Sequence, residues 1–251
     1  MPTHRIAIVA AMEREVRPLM RAWATTSLEY QGRRFEALAK EHAVLVLGGI
    51  GPVAAANAAE AVLAHSGASL VVSAGFAGAL HPETNVGDLV VPEVVVDAAS
   101  GLRYPTSGGS GALVSTWEVL GPAEKIELAA RYHAVALDME AAAVAAVARA
   151  RGTEFCAAKT ISDEQGFAMP PVGRFVDAAG RFQTARFLAH AALRPRLWTS
   201  VGQLAVNTAR ASEILCESLE AFIANGQWAG FTSIKETLPA RSHAEGMAGG
   251  K

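Results

Sequence analysis

Four acidic residues interrupt or follow apolar runs of this chain, where a charged side chain is costly unless something satisfies it. Glu15 lies in "AAMEREV", Asp138 and Glu140 lie in "VALDMEAAAV", and Asp163 lies in "AAKTISDEQG". An acid at the end of a buried strand can titrate with a raised pKa, and two carboxylates with different pKa values can divide the roles of general acid and general base. The pattern therefore favours acid–base chemistry, provided that the fold brings these residues together.

The elements that must position these acids alternate between short β-rich runs and helical patterns. Strands are predicted at 5–11, at 69–75, at 87–98, at 154–164 and twice within 34–50, and helices at 12–24, 52–67 and 122–132, with mostly helical structure after 164. Nearly continuous apolar strands that alternate with helices indicate a sheet covered on both faces. We predict a single-domain α/β/α sandwich with a central mixed, largely parallel sheet, formed by residues 1–224, and a flexible tail at 225–251.

Composition excludes several classes of function. The 251 residues carry a net charge of -2, so no basic excess is available to hold a nucleic acid. No apolar stretch reaches the roughly 20 residues that a membrane span needs, and no signal peptide is visible, so we expect a cytoplasmic protein. Cys156 and Cys216 lie far apart among apolar residues, which predicts reduced core thiols without a metal or disulfide.

Glu15 lies on the predicted helix that begins near residue 12. Met12, Val16, Leu19 and Met20 form the apolar face of that helix, and Glu15 lies at the edge of this face. A functional carboxylate and an acid stabilised by the helix dipole are both consistent with this position.

Asp138 and Glu140 allow two arrangements. If a strand covers 135–139 the two acids share one side, whereas a helix that starts at Asp138 makes Asp138 its N-cap and turns Glu140 toward the core. We favour the second arrangement. In it, Glu140 needs hydrogen bonds either from the hydroxyls of a bound sugar or from neighbouring backbone amides. Ser162 and Asp163 end the strand at 154–164, where Asp163 is either a helix cap or a titrating group.

Two glycine-rich segments follow predicted strands. The spacing Gly49-x-Gly51-x-x-Ala54 imitates a dinucleotide fingerprint, but the next strand lacks the terminal acid that would hold a ribose. A tight turn that approaches another group closely is the better interpretation. Gly75 and Gly78 in "SAGFAGAL" predict a second turn, which either presents backbone amides to a ligand or is purely structural.

The segments occur together in one order between residue 6 and about residue 164: "IAIVAAMEREV", "GGIGPVAAANA", "SAGFAGAL", "VGDLVVPE", "LDMEAAAVA" and "ISDE". This ordered set resembles the nucleoside phosphorylase/nucleosidase superfamily, and in particular the methylthioadenosine/S-adenosylhomocysteine nucleosidases. The resemblance implies cleavage of the N-glycosidic bond of a purine (adenine) nucleoside, no cofactor and a homodimer.

The resemblance also implies roles for the residues that match its motifs. The catalytic pair is Glu15, which activates water, and Asp163, which protonates the purine at N7. The implied substrate-binding residues are Met139 and Glu140 at the ribose, Ser162 beside the acid, and Ala77 and Gly78 beneath the sugar.

This chain departs from the nucleosidases at several places. Phe76 replaces a small polar residue, and the segment between Pro92 and Leu113 is shorter, which suggests an open pocket for a bulky 5′ group. Trp117 either stacks on the base or belongs to the core. The sequence from Phe187 onward resembles the hopanoid-associated phosphorylase-like branch, whose implied substrate is adenosylhopane.

Three functions are compatible with these observations. In the superfamily, phosphorylases hold phosphate with arginines near the N-terminal turn and before the glycine turn. Here Glu15 occupies the first turn, and no arginine precedes "SAGFAG", although Arg103 or Arg174 could reach in from loops. We therefore expect water as the acceptor, with a phosphate-dependent phosphorylase as the alternative. A non-catalytic nucleoside-binding protein is the third possibility, but mere binding would not need both a base and an acid.

Overall fold

The described part of the chain, residues 5–230 of a computed structural model, forms eleven strands and six α-helices. The strands are β1 (Ile6–Ala10), β2 (Ala24–Tyr30), β3 (Arg33–Lys40), β4 (Ala43–Leu47), β5 (Leu70–Ala79), β6 (Leu89–Val90), β7 (Val94–Asp97), β8 (Arg103–Pro105), β9 (Ala112–Ser115), β10 (Ala134–Asp138) and β11 (Glu154–Asp163). The helices are α1 (Arg17–Ala22), α2 (Pro52–Ser66), α3 (Pro122–Tyr132), α4 (Ala141–Arg151), α5 (Thr184–Ala192) and α6 (Trp198–Asn225).

All eleven strands belong to one mixed sheet. Its main path runs β2-β3-β4-β1-β5-β10-β9-β7-β8, and β11 pairs with β5 and β6 off this path. The pairs of β1 with β4 and β5, and of β11 with β5, are parallel, whereas β5 and β10 are antiparallel. This confirms the predicted mixed sheet with a parallel centre.

Helices cover both faces of the sheet because its strands are apolar on both sides. Along β1, Ala7 and Val9 belong to one buried cluster with residues of α2 and α4. Ile6, Ile8 and Ala10 belong to a second cluster with residues of α1 and α6. Side chains that alternate between faces of a strand account for this division. The predicted α/β/α layering is confirmed.

The predicted helix at 12–24 is wrong in its extent. A single 3-10 turn covers Glu13–Glu15, α1 begins at Arg17, and the chain enters β2 at Ala24. Pro18 lies in the first turn of α1, where its missing N–H leaves no helical hydrogen bond unmade. The 3-10 turn tightens the chain, so that Glu15 faces inward and is buried.

Other element boundaries also differ from the prediction. The run at 87–98 forms β6 and β7 rather than one strand, and the predicted loop at 99–111 contains β8. The strand expected at 69–75 continues to Ala79, so the predicted turn at "SAGFAGAL" is wrong and these residues belong to β5. This extension carries β5 past the end of its pairing with β1 at Ser73, to an antiparallel pairing with β10 at Gly78 and Ala79.

Cys156 and Cys216 are buried and unpaired, in agreement with reduced core thiols. Burial raises the pKa of the Cys156 thiol to about 12, which leaves it unreactive at neutral pH. Within residues 5–230, no helix has the length and apolarity to cross a bilayer. α6 ends at Asn225, next to the expected start of the tail, and the tail from residue 231 onward lies outside the described residues.

Candidate active site

The candidate site is a cavity of about 930 Å³ where β5, β10 and β11 end and where β1 and β4 turn into helical segments. Ligands of open α/β sheets bind at such strand ends. The cavity is lined by all eight residues expected to act on or bind the substrate: Glu15, Ala77, Gly78, Trp117, Met139, Glu140, Ser162 and Asp163. The structure therefore brings together residues that are up to 148 positions apart in the chain.

Backbone amides hold the Glu15 carboxylate at the exit of β1. Its Oε2 accepts hydrogen bonds from the N–H groups of Ala11 at 2.8 Å and Met12 at 2.9 Å, and its Oε1 accepts one from Phe76 at 3.2 Å. Burial nevertheless raises the pKa of Glu15, against the opposing effects of Lys159 and these amides. Glu15 is thus a fixed carboxylate with a stronger affinity for a proton than an exposed one.

Glu140 lies at the cavity wall between β10 and α4. Its Oε1 accepts a hydrogen bond of 2.8 Å from the N–H of Gly51, and its Oε2 lies 3.3 Å from the N–H of Met139. Glu140 was expected to accept hydrogen bonds either from a bound sugar or from neighbouring backbone amides. The protein itself supplies the backbone amides. Burial raises the pKa of Glu140 to about 7 despite the positive charge of Lys159, and Asp138 and Glu15 add to the rise.

Asp138 occupies the last position of β10, so a helix that starts at this residue is the wrong arrangement. α4 begins three residues later at Ala141, because the chain continues in the sheet beside β9 as far as Asp138. Its Oδ2 still accepts a hydrogen bond of 2.8 Å from the N–H of Ala141, and its Oδ1 accepts one of 2.5 Å from Ser115 Oγ. Asp138 therefore anchors the start of α4 from within the strand.

Lys159 lies in the middle of β11 and is 1% exposed. Its Nζ lies 2.9 Å from Asp138 Oδ2. Burial alone would lower the pKa of Lys159, but Asp138, Glu140 and Glu15 together raise it above its ordinary value. One buried cation thus balances part of the charge of three acids, which permits them to lie close together.

Asp163 terminates β11 and is satisfied through both oxygens. Its Oδ1 lies 2.7 Å from Ser162 Oγ, and its Oδ2 lies 2.5 Å from the Nζ of Lys125. Lys125 also donates a hydrogen bond of 3.0 Å to the carbonyl of Glu164. The side chains of Lys125 and Asp163 are 2% and 4% exposed, so they form a buried ion pair that lines the cavity. Asp163 is not a helix cap, because α5 begins only at Thr184.

Glycines of β5 leave room for both acids. A Cβ on Gly75, whose φ is +151°, would lie 2.8 Å from Glu15 Oε1, and a Cβ on Gly78 would lie 2.9 Å from Asp163 Oδ2. The two glycines are three residues apart, about 10 Å along a strand. β5 therefore forms a floor with one acid near each end, and Ala77 lies on this floor within the strand.

Trp117 is 59% exposed and lines the cavity, so the alternative of a core tryptophan is wrong. Arg174 also lines the cavity, whereas Arg103 belongs to the edge strand β8 and does not. Arg14 is a further lining residue, and its guanidinium lies 5.1 Å from the centre of the Phe182 ring.

A second cavity of about 920 Å³ adjoins the first and shares six lining residues with it, among them Met12, Arg14 and Phe182. Its apolar walls come from Phe35 of β3 and from Leu188 of α5. The shared residues lie next to Glu15, so the second cavity opens from the Glu15 end of the candidate site.

Two glycine turns meet at the start of α2. The N–H of Ile50 donates a hydrogen bond of 2.7 Å to the carbonyl of Gly180. A Cβ on Gly180 would lie 2.7 Å from the Ile50 oxygen, and a Cβ on Gly49 would lie 3.0 Å from the Ala179 oxygen. The predicted close approach of the turn at 48–51 is therefore an approach to the backbone of another segment of this chain.

Lys125 and Lys159 are two buried lysines near the site that were not predicted from the sequence. Lys125 lies in "PAEKIELAARY", which reads as a solvated helix, and only the tertiary structure shows that its side chain points inward. Lys159 had a usable signal, because "FCAAKTIS" places a lysine in an otherwise apolar strand. A lysine is almost never fully buried without an anionic partner, so this position predicts a neighbouring acid.

Comparison with known proteins identifies a family. Residues 5–115 and 105–193 match the family described as the phosphorylase superfamily. A 5′-methylthioadenosine/S-adenosylhomocysteine nucleosidase of Geobacillus kaustophilus is 30% identical over 204 residues, covering 64% of this chain and 85% of that protein. A nucleosidase of the same name from Baumannia cicadellinicola is 38% identical over 93 residues, 36% of this chain and 41% of that protein.

Solved structures show the same fold. The futalosine hydrolase of Helicobacter pylori superposes with a TM-score of 0.66 at 17% identity, covering 88% of this chain and 98% of that one. A second structure is the S-adenosylhomocysteine nucleosidase of Streptococcus pyogenes in complex with 5-methylthiotubericidin. It superposes with a TM-score of 0.60 at 22% identity and covers 75% of this chain and 95% of that one.

Proposed function

Because the chain belongs to the phosphorylase superfamily, we propose that it is a nucleosidase that cleaves the N-glycosidic bond of a purine nucleoside with water. The observation that carries this proposal is the placement of Glu15 and Asp163 near opposite ends of the β5 floor of one cavity, with Glu140 on its wall. Bond cleavage places positive charge on the sugar and negative charge on the base. One end of the site therefore needs a proton donor for the base, and the other needs a proton acceptor for the water that attacks the sugar.

At the base end, Asp163 carries a proton to N7 of the departing purine, and the ammonium of Lys125, which is paired with Asp163 in the free protein, supplies that proton to its Oδ2. Ser162 fixes one oxygen of Asp163, and the ammonium of Lys125 lies against the other, beside the position where the base gains negative charge. One oxygen of a carboxylic acid can donate to N7 while the other accepts from a 6-amino group, which favours adenine. Trp117 is available at the same cavity to stack on the base.

At the sugar end, Glu15 removes a proton from the attacking water. Its raised pKa makes it a better base than an exposed carboxylate, while the three backbone amides keep it in one orientation. Glu140 accepts hydrogen bonds from the ribose hydroxyls with the lone pairs that Gly51 and Met139 leave free, and the side chain of Met139 lies along the sugar.

A bulky apolar 5′ substituent is the finer part of this proposal. It is supported by the second cavity, which opens from the Glu15 end and carries apolar side chains such as Phe35 and Leu188 among the charged residues of its wall. The size of that cavity would admit a lipid-like group of the kind implied by the hopanoid-associated branch. A homodimer is a further proposal that the resemblance implies, and a cytoplasmic location is a proposal that follows from the sequence alone.

Phosphorolysis is the second candidate, and a specific observation favours it. Arg14 and Arg174 both line the candidate cavity, and arginine is the side chain best suited to bind a phosphate. Against it stands Glu15, whose carboxylate occupies the end of the site where an anionic acceptor would have to lie.

The experiment is adenine release from methylthioadenosine, S-adenosylhomocysteine, adenosine and a 5′-alkyl adenosine, each with and without phosphate, and from inosine for comparison. We expect release without phosphate, fastest for the 5′-alkyl substrate. Release only with phosphate would establish a phosphorylase, and binding without release would establish a nucleoside-binding protein. Glu15→Gln should abolish hydrolysis, and Asp163→Asn should slow turnover at least about 100-fold while it leaves ligand binding largely intact.

A further inference from the structure

The segment 178–212 has an unusual charge pattern. It contains no aspartate or glutamate in a chain whose net charge is -2. Its five arginines are Arg181, Arg186, Arg194, Arg196 and Arg210. Arg181 is paired with Asp177, just before the segment, so the other four carry its positive charge. The segment includes α5 and the first half of α6, and both of these helices present an exposed side.

Four large apolar residues of this segment are exposed. Leu188 is 54% exposed, Leu193 81%, Trp198 58% and Val206 67%. The indole N–H of Trp198 donates a hydrogen bond of 3.0 Å to the carbonyl of Ala191, so its polar group is satisfied while most of the residue stays exposed. We call these four residues, together with the five arginines, the α5–α6 surface.

The α5–α6 surface continues into the second cavity. Leu188 and Arg181 belong to both, and Leu204 of α6 lines both cavities. Arg17, Arg33 and Arg34 line the same second cavity, together with two acids, Glu13 and Glu36. The surface therefore forms one side of an opening that leads toward Glu15.

We infer that the α5–α6 surface docks on an anionic lipid bilayer. Exposed leucine, valine and tryptophan between arginines combine the two attractions that hold a protein on such a surface, insertion of apolar groups and contact with acidic headgroups. A second copy of this chain is a less suitable occupant. In a symmetric dimer the same patch faces itself, and two patches with only positive charges repel each other.

Docking has a consequence that rests on the proposed function. With the α5–α6 surface on the membrane, the second cavity opens at the lipid, and an apolar 5′ group can pass into it without crossing water. The nucleoside then reaches the candidate site from the bilayer side.

The test uses the full chain and vesicles, and it does not depend on enzymatic activity. Co-sedimentation is measured with vesicles of equal parts phosphatidylglycerol and phosphatidylcholine, and with phosphatidylcholine alone, at low and high salt. We expect binding to the anionic vesicles that weakens with salt. Arg194→Gln with Arg196→Gln should weaken it about thirtyfold, and Leu193→Ser with Trp198→Ser should weaken it comparably.

The matched control replaces exposed residues at the far edge of the sheet, Leu102→Ser with Arg103→Glu, which should bind vesicles like the wild type. None of the four substituted residues of the α5–α6 surface lines either cavity, and the far-ultraviolet circular dichroism of each variant reports whether it folds. Failure of the wild type to bind anionic vesicles would overturn the inference. So would a change from dimer to monomer in the Leu193→Ser, Trp198→Ser variant by sedimentation without lipid, since the surface would then join two copies. If the wild type binds vesicles but cleaves no nucleoside, the proposed function fails and the docking surface stands.

Discussion

Lys125 and Asp163 form a buried ion pair across the base end of the candidate site. The two residues come from α3 and β11, and each is nearly inaccessible to solvent. Removal of one member of such a pair leaves an uncompensated charge, which costs more than the pair contributes as a unit.

We therefore expect Lys125→Met to lower the free energy of unfolding at neutral pH by about 3–5 kcal/mol, because it strands the carboxylate of Asp163. Urea denaturation measures this loss. The double variant Lys125→Met, Asp163→Asn should recover part of it, since neither charge remains. If the single and double variants lost the same free energy of unfolding, the loss would not come from the unpaired charge of Asp163.

Glu140 gives the candidate site a pH dependence near neutrality. With a pKa of about 7, its carboxylate is protonated at pH 5 and ionised at pH 8, and only the ionised form accepts hydrogen bonds with both oxygens. The KM for a nucleoside should therefore fall as the pH rises through about 7. In Glu140→Gln it should be higher and independent of pH over this range, whereas binding of free adenine should not change. An equal loss for adenine and nucleoside would assign Glu140 a structural role only.

At the residue scale, the acids and Lys159 could be found from the sequence, whereas Lys125 could not. Glu15, Glu140 and Asp163 lie where apolar runs end, although a structural role was also open for each, and Lys159 interrupts an apolar strand. Lys125 looks like one of several charges on a solvated helix, so its partner 38 residues away is visible only after folding.

At the scale of elements, β5 determines the geometry of the candidate site. Gly75 permits the Glu15 carboxylate to lie against the strand, and its φ of +151° is disfavoured for any other residue.

Gly75→Ala should displace Glu15 and reduce turnover by about 100-fold, the effect expected for a misplacement of roughly 1 Å. The comparison is Gly101→Ala, which has a φ of +73° but open space around its Cβ position. Both variants carry backbone strain, so both should lose stability. If Gly101→Ala lost as much activity as Gly75→Ala, strain rather than the Glu15 contact would explain the effect. Initial rates of both variants at saturating nucleoside distinguish an effect of backbone strain from an effect of the Glu15 contact.

Elements with strong apolar patterns were predictable, including β1, α2 and β11. β2 was missed because none of its residues is fully buried and its sequence "ATTSLEY" is mostly polar. A local signal existed, since Gln31 and Gly32 both have positive φ values and join β2 to β3 as a two-residue hairpin.

The helix predicted at 12–24 was wrong for a different reason. Its apolar spacing was helical, but hydrogen bonds from the backbone to Glu15 favour a tight turn.

At the scale of the whole molecule, burial of acids couples stability to pH. Burial raises the pKa values of Glu15 and Glu140, and that of Glu140 rises to about 7. Between its ordinary value of 4.5 and about pH 7 the folded protein therefore holds a proton on Glu140 that the unfolded chain has released, and Glu15 acts in the same direction. Their contribution to stability is complete below the unfolded pKa and is lost as the pH rises through the folded one.

The free energy of unfolding of the wild type, relative to the variant Glu15→Gln with Glu140→Gln, should therefore decrease from pH 4.5 to pH 7. Chemical denaturation at each pH gives this difference, and the variant cancels the opposite contributions of surface acids such as Asp177 and Glu220, whose pKa values are lowered. A difference that is constant across the range would show that both acids titrate normally in the folded protein.

The contact between the turns at 48–51 and 177–181 constrains how the sequence can evolve at these positions. A Cβ on Gly180 would collide with the main chain of Ile50, and a Cβ on Gly49, whose φ is +102°, would press on the Ala179 oxygen at 3.0 Å, although the two glycines lie 131 positions apart. A lineage that loses one glycine must first move the other turn away, so the two positions are inherited as a unit. Among descendants of this protein, Gly49 and Gly180 should be kept together or replaced together. A chimeric protein that takes one of the two turns from each of two divergent parents should misfold first at the contact between these turns.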